Sequence, residues 1–325
     1  MKSVRVASLF CGIGGMDLGA MGGFSFLDRD YRRLPTQVVH ASDFDTKALG
    51  IYRRNFEHEP LCVDIRDMDA DAVEKHDILM GGFPCQSFSV AATNPPRLGY
   101  RDVRGQLFFE MIRILRMRKP AVFIAENVKG LLSANAGAAF PLVVEEFSKV
   151  GYHVRWKVLN AAEFGVPQKR QRVFIVGFRA QSHANRFEFP DELGVSVPLK
   201  RVIEKRVDES YFFSDAAVSG MRSTKNSLAM NKGRHQDPNR PCNTVGAHLA
   251  KVSLNSTDPV YLDRGRYRMF TPREVARIQS FPEGFVLDGS KSVQYRGLGN
   301  AVPPVVMWHV VEAVLAASFP TLLDR

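Results

Sequence analysis

Val4-Arg5-Val6-Ala7-Ser8-Leu9-Phe10-Cys11-Gly12-Ile13-Gly14-Gly15 is the stretch whose reading decides the fold. Val4 to Leu9 is a short, mostly apolar run with the composition of a strand. It passes without a break into a glycine-rich turn, and Met16-Asp17-Leu18 then begins a helical pattern. A strand feeding a glycine loop that opens a helix is the first unit of a parallel α/β sheet. The glycines let the backbone approach a ligand closely, and the helix start favours the ligand's polar groups. The run lacks a separate apolar core and a cleavage site, so it reads as a first strand and not as an export signal. A glycine-rich turn alone is a weak signal, because such motifs match often by chance.

Further strands are predicted at 38–41, 78–80, 122–125 and 173–176, each short, apolar and rich in β-branched residues. Leu107, Phe108, Met111, Ile112 and Leu115 form one apolar face of a helix between them. Strands alternating with helices of this length imply βαβ units and a mainly parallel sheet. From 199 to 268 the periodicity fades and turn residues crowd in, with 13 Lys and Arg against 7 Asp and Glu. This is the predicted second domain, and it carries much of the excess positive charge. Thr271-Pro272-Arg273-Glu274 then restarts a helix with a capping box and proline at its first position. A last helix is expected over 304–317. The expected division is a catalytic and cofactor-binding domain at 1–198, completed by 299–325, with a smaller domain and hinge at 199–298.

The chain has 325 residues, is 45% hydrophobic and 24% charged, and carries a net charge of +10. That balance favours a polyanionic partner. No apolar run reaches the roughly 18 to 20 residues that span a bilayer, so no membrane association is expected. The four cysteines, Cys11, Cys62, Cys85 and Cys242, form no Cys-x-x-Cys pair, and no metal site is expected.

Asp43 is predicted at the end of a strand, where a carboxylate can accept both hydroxyls of a ribose. Asp64 follows Cys62-Val63 and could receive an adenine amino group; both could equally be capping aspartates. Gly81-Gly82-Phe83-Pro84-Cys85-Gln86-Ser87 places a thiol at a sheet edge. At an ordinary pKa of about 8.5 a free thiol is mostly protonated near neutrality, so nucleophilic use needs an electropositive site or substrate-coupled activation. The arginines of Gln168-Lys169-Arg170-Gln171-Arg172 could supply it. Glu126-Asn127-Val128 follows an all-apolar strand, which would partly desolvate the Glu126 carboxyl and raise its pKa. An incidental loop cysteine and a helix-capping pair are the alternative readings of these two segments.

In order and spacing, these segments resemble the DNA (cytosine-5) methyltransferase family of bacterial modification enzymes. The matching blocks are Ser8-Leu9-Phe10-Cys11-Gly12-Ile13-Gly14-Gly15, Gly82-Phe83-Pro84-Cys85-Gln86-Ser87-Phe88-Ser89, Glu126-Asn127-Val128 and Gln168-Lys169-Arg170-Gln171-Arg172. Thr271-Pro272-Arg273-Glu274-Val275-Ala276-Arg277 and Gly299-Asn300-Ala301-Val302-Pro303-Pro304 complete the set. The resemblance covers nearly the whole chain outside 199–263.

It implies a Rossmann-like α/β methyltransferase fold with a mixed, mostly parallel sheet and a smaller, irregular target-recognition domain. It implies S-adenosylmethionine as cofactor and a cytosine flipped out of double-stranded DNA. By this resemblance the catalytic residues are Cys85, which attacks C6, Glu126 at N3 and the exocyclic amine, Arg172 at the base and its O2, and Arg170, which fixes the site and a neighbouring phosphate. The cofactor positions are Phe10, Cys11, Gly12, Ile13, Gly14, Gly15, Asp43, Phe44, Asp64, Ile65, Pro84, Leu107, Asn300 and Ala301. Asp43 stands where the family commonly has Glu. The segment 86–106, with Gln86, Ser89, Arg97, Arg101 and Arg104, matches the loop that closes over substrate. Arg234, His235, Gln236 and Thr244 are the expected DNA-facing residues of the small domain, with solvated phosphate contacts as the alternative.

The resemblance further implies a monomer in the bacterial cytoplasm, associated with the nucleoid through DNA, and a possible cognate restriction endonuclease. Two rivals share the motifs: a tRNA cytosine-5 methyltransferase, and a non-catalytic DNA-binding regulator. The basic variable region favours DNA over RNA, and the intact set of Cys85, Glu126, Arg170 and Arg172 argues against a regulator. A nicotinamide dehydrogenase would explain the glycines and none of the later motifs.

Overall fold

In β1 (Val4–Leu9) Val4 and Val6 point to one face of a sheet and Ala7 and Leu9 to the other, and both faces are buried. A strand covered on both sides belongs in the middle of a sheet flanked by helices. The computed structural model, which describes residues 3–84, 106–223, 234–249 and 258–323, places it there. The other strands are β2 (Thr36–Asp43), β3 (Leu61–Cys62), β4 (Ile78–Gly81), β5 (Val122–Val128), β6 (His153–Asn160) and β7 (Gln171–Phe178). Their spatial order is β3-β2-β1-β4-β5-β7-β6. The first five run parallel, and β7 runs antiparallel to both β5 and β6. The fold is therefore α/β with a mixed, mostly parallel sheet.

The helices are α1 (Gly15–Met21), α2 (Thr46–Arg53), α3 (Gln106–Arg118), α4 (Ala139–Lys149), α5 (Gln181–Arg186), α6 (Asp215–Ser223), α7 (Pro272–Ile278), α8 (Lys291–Asn300) and α9 (Pro304–Ser318). One core joins the sheet to α1, α5 and α9, and a second joins its other face to α3 and α4. A third is built from Ile13 and α2 together with Leu199, Cys242, Val245, Phe270, α7 and α8. Through it the 199–298 stretch packs directly on the cofactor-loop side of the sheet.

The capping box of α7 forms as expected, with Thr271 receiving from the Glu274 backbone and Glu274 reaching back. α9 is apolar on nearly all sides and is buried. With α8 it is the one helical stretch among the described residues that is long and apolar enough to cross a membrane, yet two-thirds of its apolar window is buried inside the fold. Helical geometry also breaks at 301–303.

Several boundaries differ from the sequence expectation. β5 continues through Glu126 to Val128, so Glu126 is a strand residue and not the residue after the strand. β7 begins at Gln171, which puts Arg172 inside it. β6 and α8 were not expected. The apolar alternation of β6 is weak because it is a half-exposed edge strand. α8 carries Gly297 and Gly299, which disfavour helix. Packing requires both: a side chain at Gly297 would meet Ile13, and one at Gly299 would overlap the Gly246 carbonyl.

Candidate active site

The chain builds β1, β2 and β3 in one direction and β4 and β5 in the other, so the order reverses between β1 and β4. Crevices beyond the carboxyl ends of strands at such a reversal are where open α/β sheets bind ligands. Among the described residues, the glycine loop, Asp43 and Glu126 lie toward the carboxyl ends of β1, β2 and β5. Beyond β1, Phe10, Gly12 and Gly14 all adopt left-handed backbone, with φ of 55, 55 and 88°. A side chain at Gly14 would run into the Phe56 ring, and one at Gly15 would strike the Val302 carbonyl. The loop therefore lies against the segment after α8, which brings Ala301 and Val302 beside Gly15, with Asn300 next to them in the chain. Asn300 is exposed there.

Asp43 is the last residue of β2. Its Oδ2 receives the Gly12 N–H at 2.9 Å and its Oδ1 the Asp45 N–H at 2.9 Å. Burial raises its pKa against these hydrogen bonds. Phe44 beside it is 69% exposed, an unusual state for a phenylalanine and one that offers a ring face to a ligand. Ile65 is buried, and Leu107 and Pro84 are half-buried. Asp64 is already engaged: Arg66 donates to its two oxygens at 2.9 and 2.5 Å, and this lowers its pKa.

Glu126 and Arg172 meet because β7 is antiparallel to β5. The register pairs Arg172 with Val128 and Phe174 with Glu126, so Arg172 and Glu126 are diagonal neighbours on one face. Arg172 Nε lies 3.0 Å from Glu126 Oε1, with both side chains largely buried. Burial raises the Glu126 pKa, opposed first by Arg172 and then by Arg170. Glu126 Oε2 also faces Gly82, where a side chain would crowd it.

Asn127, which the sequence reading left without a role, donates its Nδ2 to the Phe83 carbonyl at 2.9 Å. It thereby fastens the strand β5 to the backbone two residues before Cys85. Cys85, Gln86, Ser89, Arg97, Arg101 and Arg104 lie outside the described residues.

Arg170 is buried and serves backbone. Its guanidinium donates to the carbonyls of Val245 at 3.1 Å, Gly299 at 2.9 Å and Ala301 at 3.0 Å. Gln168 adds to this junction, donating to Gln279 at 2.7 Å and accepting the Val245 N–H at 2.9 Å. Gln279 in turn donates to the Leu298 carbonyl. Thr244 is exposed and donates to the Lys169 carbonyl at 2.8 Å. Gln168 and Gln279 were missed because an amide that ties backbone together has no spacing signature in a sequence.

Of the other residues expected to face DNA, the structure turns two inward. Arg234 and Gln236 are buried; Arg234 Nε donates to the Asp258 carbonyl at 2.9 Å, and Gln236 bridges the Arg234 carbonyl and the Asn243 N–H. At the bridge to Val260, the backbone of 234 and 236 pairs with Val260 and both side chains are buried, while His235 between them is exposed, its ring edge-on to Tyr267.

A family model described as C-5 cytosine-specific DNA methylase matches residues 4–316. The chain is 34% identical over 319 residues to Type II methyltransferase M.NlaX of Neisseria lactamica, covering 96% of each chain. It is 32% identical over 319 residues to Type II methyltransferase M.DsaV of Dactylococcopsis salina, covering 97% of this chain and 87% of that one. A solved methyltransferase structure from Entamoeba histolytica superposes with a TM-score of 0.74 at 19% identity, covering 97% of this chain and 98% of that one. A putative DNA modification methyltransferase encoded in an E. coli prophage superposes with a TM-score of 0.70 at 20% identity, covering 99% and 100%. At those identities the structural likeness is one of fold.

Proposed function

The chain belongs to the C-5 cytosine-specific DNA methylase family, and from that premise we propose how its residues carry out the reaction. It is a DNA (cytosine-5) methyltransferase of the Type II restriction-modification type. The reading of the site rests on one observation above others: the buried Glu126–Arg172 pair at the carboxyl end of β5, beside the anchored backbone that leads to Cys85.

The methyl donor is S-adenosylmethionine, and the residues present fit an adenosyl group. Asp43 is pinned by two backbone N–H groups and keeps acceptor capacity for ribose hydroxyls, since each carboxylate oxygen has two lone pairs. The exposed Phe44 ring and Ile65 suit adenine, and the left-handed loop from Phe10 to Gly15 suits close backbone approach. Leu107, Pro84, Asn300 and Ala301 complete the set. Asp64 reaches an adenine amino group only by sharing its charge with Arg66. When bound, the cofactor supplies an electrophilic methyl group.

Cytosine C5 is a poor nucleophile. Cys85 Sγ adds to C6 of a cytosine flipped out of the duplex, which makes C5 electron-rich. Glu126 meets N3 and the exocyclic amine, and a raised pKa suits it to hold a proton there as negative charge develops on the ring. Arg172 orients Glu126 and contacts the base at O2. C5 would take the methyl group as its bond to the sulfonium sulfur breaks and leaves a neutral thioether; the C5 proton would then pass to solvent and the Cys85–C6 bond break, restoring the ring and the thiolate. Arg170 acts one step back, holding the segment before β7, Val245 and the cofactor segment in register.

Double-stranded DNA lies between the catalytic part, 1–198 with 299–325, and the recognition part, 199–298. Gln86, Ser89, Arg97, Arg101 and Arg104 close over it, while His235 and Thr244 face it from the recognition part. Arg234 and Gln236 support that surface from beneath.

Bisulfite sequencing of DNA from a host expressing the protein tests this reading directly. Protected cytosines in one sequence context are expected, and their loss on Cys85→Ala; unprotected DNA from wild type overturns the activity. A covalent complex is expected with duplex DNA carrying 5-fluorocytosine, whose fluorine cannot leave as the proton does. Failure to trap it overturns the C6-adduct route.

A further inference from the structure

Asp17 sits in the first turn of α1, directly beneath the cofactor loop, and is fully buried. Ser8, from the end of β1, donates its hydroxyl to Oδ2 at 2.9 Å. Tyr52, from α2, donates to Oδ1 at 3.0 Å. These partners belong to the loop's own support: Tyr52 stacks on Phe56, and the Phe56 ring fills the space against Gly14. The Cys11 thiol, inside the loop, feels the charge of Asp17 and of Asp43. From α9, which packs on α1, the Pro304 carbonyl and the Met307 side chain meet Gly19, and neither is cationic. Among the described residues no cationic side chain forms an ion pair with Asp17.

A buried carboxyl with two neutral donors and no counter-charge is costly to ionise. Burial accordingly moves the Asp17 pKa up to about 6, with Ser8 and Tyr52 opposing the rise. Above that pH the group is a carboxylate with no cationic partner among the described residues. An amide could fill the same space and hydrogen-bond both hydroxyls without that cost. A perturbed buried acid beside a ligand loop is a candidate for a functional charge.

We propose that Asp17 is the buried counter-charge of the cofactor site, a positioning residue that makes the site favour a cationic sulfonium ligand over its neutral thioether product. The inference rests on the S-adenosylmethionine reading above. The two ligands share the adenosyl and amino-acid parts and differ by the methyl group that makes sulfur a cation. Every contact to the shared parts therefore acts on both. Asp43 also carries charge at this site and its pKa is also raised, so the comparison of Asp17→Asn with wild type at one pH is what assigns a change in the ratio to Asp17. The ratio of the two affinities isolates the group that senses the sulfonium charge.

The test is equilibrium binding of S-adenosylmethionine and S-adenosylhomocysteine to the full-length protein and to Asp17→Asn at pH 8. Asp17→Asn is expected to lower the ratio of sulfonium to thioether affinity by about tenfold, the size of one modest charge interaction. An equal loss on both ligands, or no change in the ratio, overturns the proposal and leaves Asp17 as a hydrogen-bond hub. If the variant does not fold, the wild-type protein decides: the ratio must fall as pH drops from 8 to 5, and a flat ratio overturns the proposal. Tyr52→Phe removes one hydrogen bond and keeps the charge, so it is expected to weaken both ligands alike. Wild-type protein that binds neither ligand refutes the cofactor reading itself, a result distinct from every outcome above.

Discussion

Arg172 reaches back across two residues of antiparallel register to place its Nε 3.0 Å from the Glu126 carboxylate, in a setting where both side chains are largely buried. The pair sets the protonation of Glu126 by opposing forces: burial raises its pKa, and the two arginines lower it. Glu126→Gln keeps the shape and removes the titratable group. It is expected to reduce methyl transfer by about 10²-fold or more, the usual scale for a lost acid–base group. Cofactor affinity should stay within about twofold, a limit well under the tenfold worth of 1.4 kcal/mol. Single-turnover methylation with a parallel binding measurement checks both, and unchanged turnover would remove Glu126 from the mechanism.

Arg172→Lys leaves a charge but loses the planar fork that fits a carboxylate. Without its fixed partner Glu126 is left buried beside a mobile ammonium. The pH above which turnover falls, as Glu126 loses its proton, is expected to move upward, because a weaker opposite charge leaves burial less opposed. A pH–rate profile of the variant against wild type reads this shift, and a profile identical to wild type contradicts it.

Asn127 is expected to matter through the Phe83 carbonyl and not through contact with the base. Asn127→Asp replaces the donating amide by an acceptor facing an acceptor. Turnover should fall about 10-fold or more, since small displacements of a nucleophile are costly. The 5-fluorocytosine adduct should still form, but slowly. Loss of cofactor binding instead would indicate collapse of the whole edge.

Gly299 has no room for a side chain, because a Cβ there would lie 2.3 Å from the Gly246 backbone. Gly299→Ala is expected to push the 245–247 segment off α8 and break the Arg170 junction that joins them. Overpacking of this kind costs about 1–3 kcal/mol, and buried carbonyls left without Arg170 add to it. Thermal unfolding should drop by several degrees. DNA affinity and cofactor affinity should weaken together, whereas Asn300→Ala, on the exposed side, should affect the cofactor alone.

Acidification should destabilise the protein through buried histidines. Burial lowers the His40 pKa to about 4, with His58 and His76 adding to the effect, and burial with Arg29 lowers His309 to about 4. Both are expected to be near 6.5 when unfolded, so the unfolded chain takes up more protons between those values. Their stabilisation is complete above pH 6.5 and is lost as pH falls toward 4. Asp17 has the opposite sign. Its folded pKa of about 6 exceeds the unfolded 3.8, so its contribution is present at low pH and lost as pH rises through 6. Asp17→Asn should therefore steepen the acid loss of stability and raise stability at pH 8. Thermal melts of both proteins at pH 5 and pH 8 measure this, and parallel curves would contradict the assignment.

Much of the catalytic edge was legible because its residues sit in short, contiguous blocks tied to strand ends. The glycine loop after Leu9, Asp43 at the close of β2 and the capping box at Thr271 all follow from local rules of strand, turn and helix that act over a few residues. What local pattern could not supply was direction and partner. Arg172 reaches Glu126 only because one strand is inserted antiparallel, and Ala301 reaches the glycine loop only because the last helix packs back on the first. Arg234 and Gln236 looked like base readers by residue type, yet the His235–Val260 bridge and the Asp258 and Asn243 backbone turn them inward. Asp17 showed nothing in the sequence beyond an acid near a helix start. Residue type and spacing determined the chemistry this chain can perform. Which charges are buried, and against what, depended on groups brought together from distant parts of the chain, and burial is what moves a pKa.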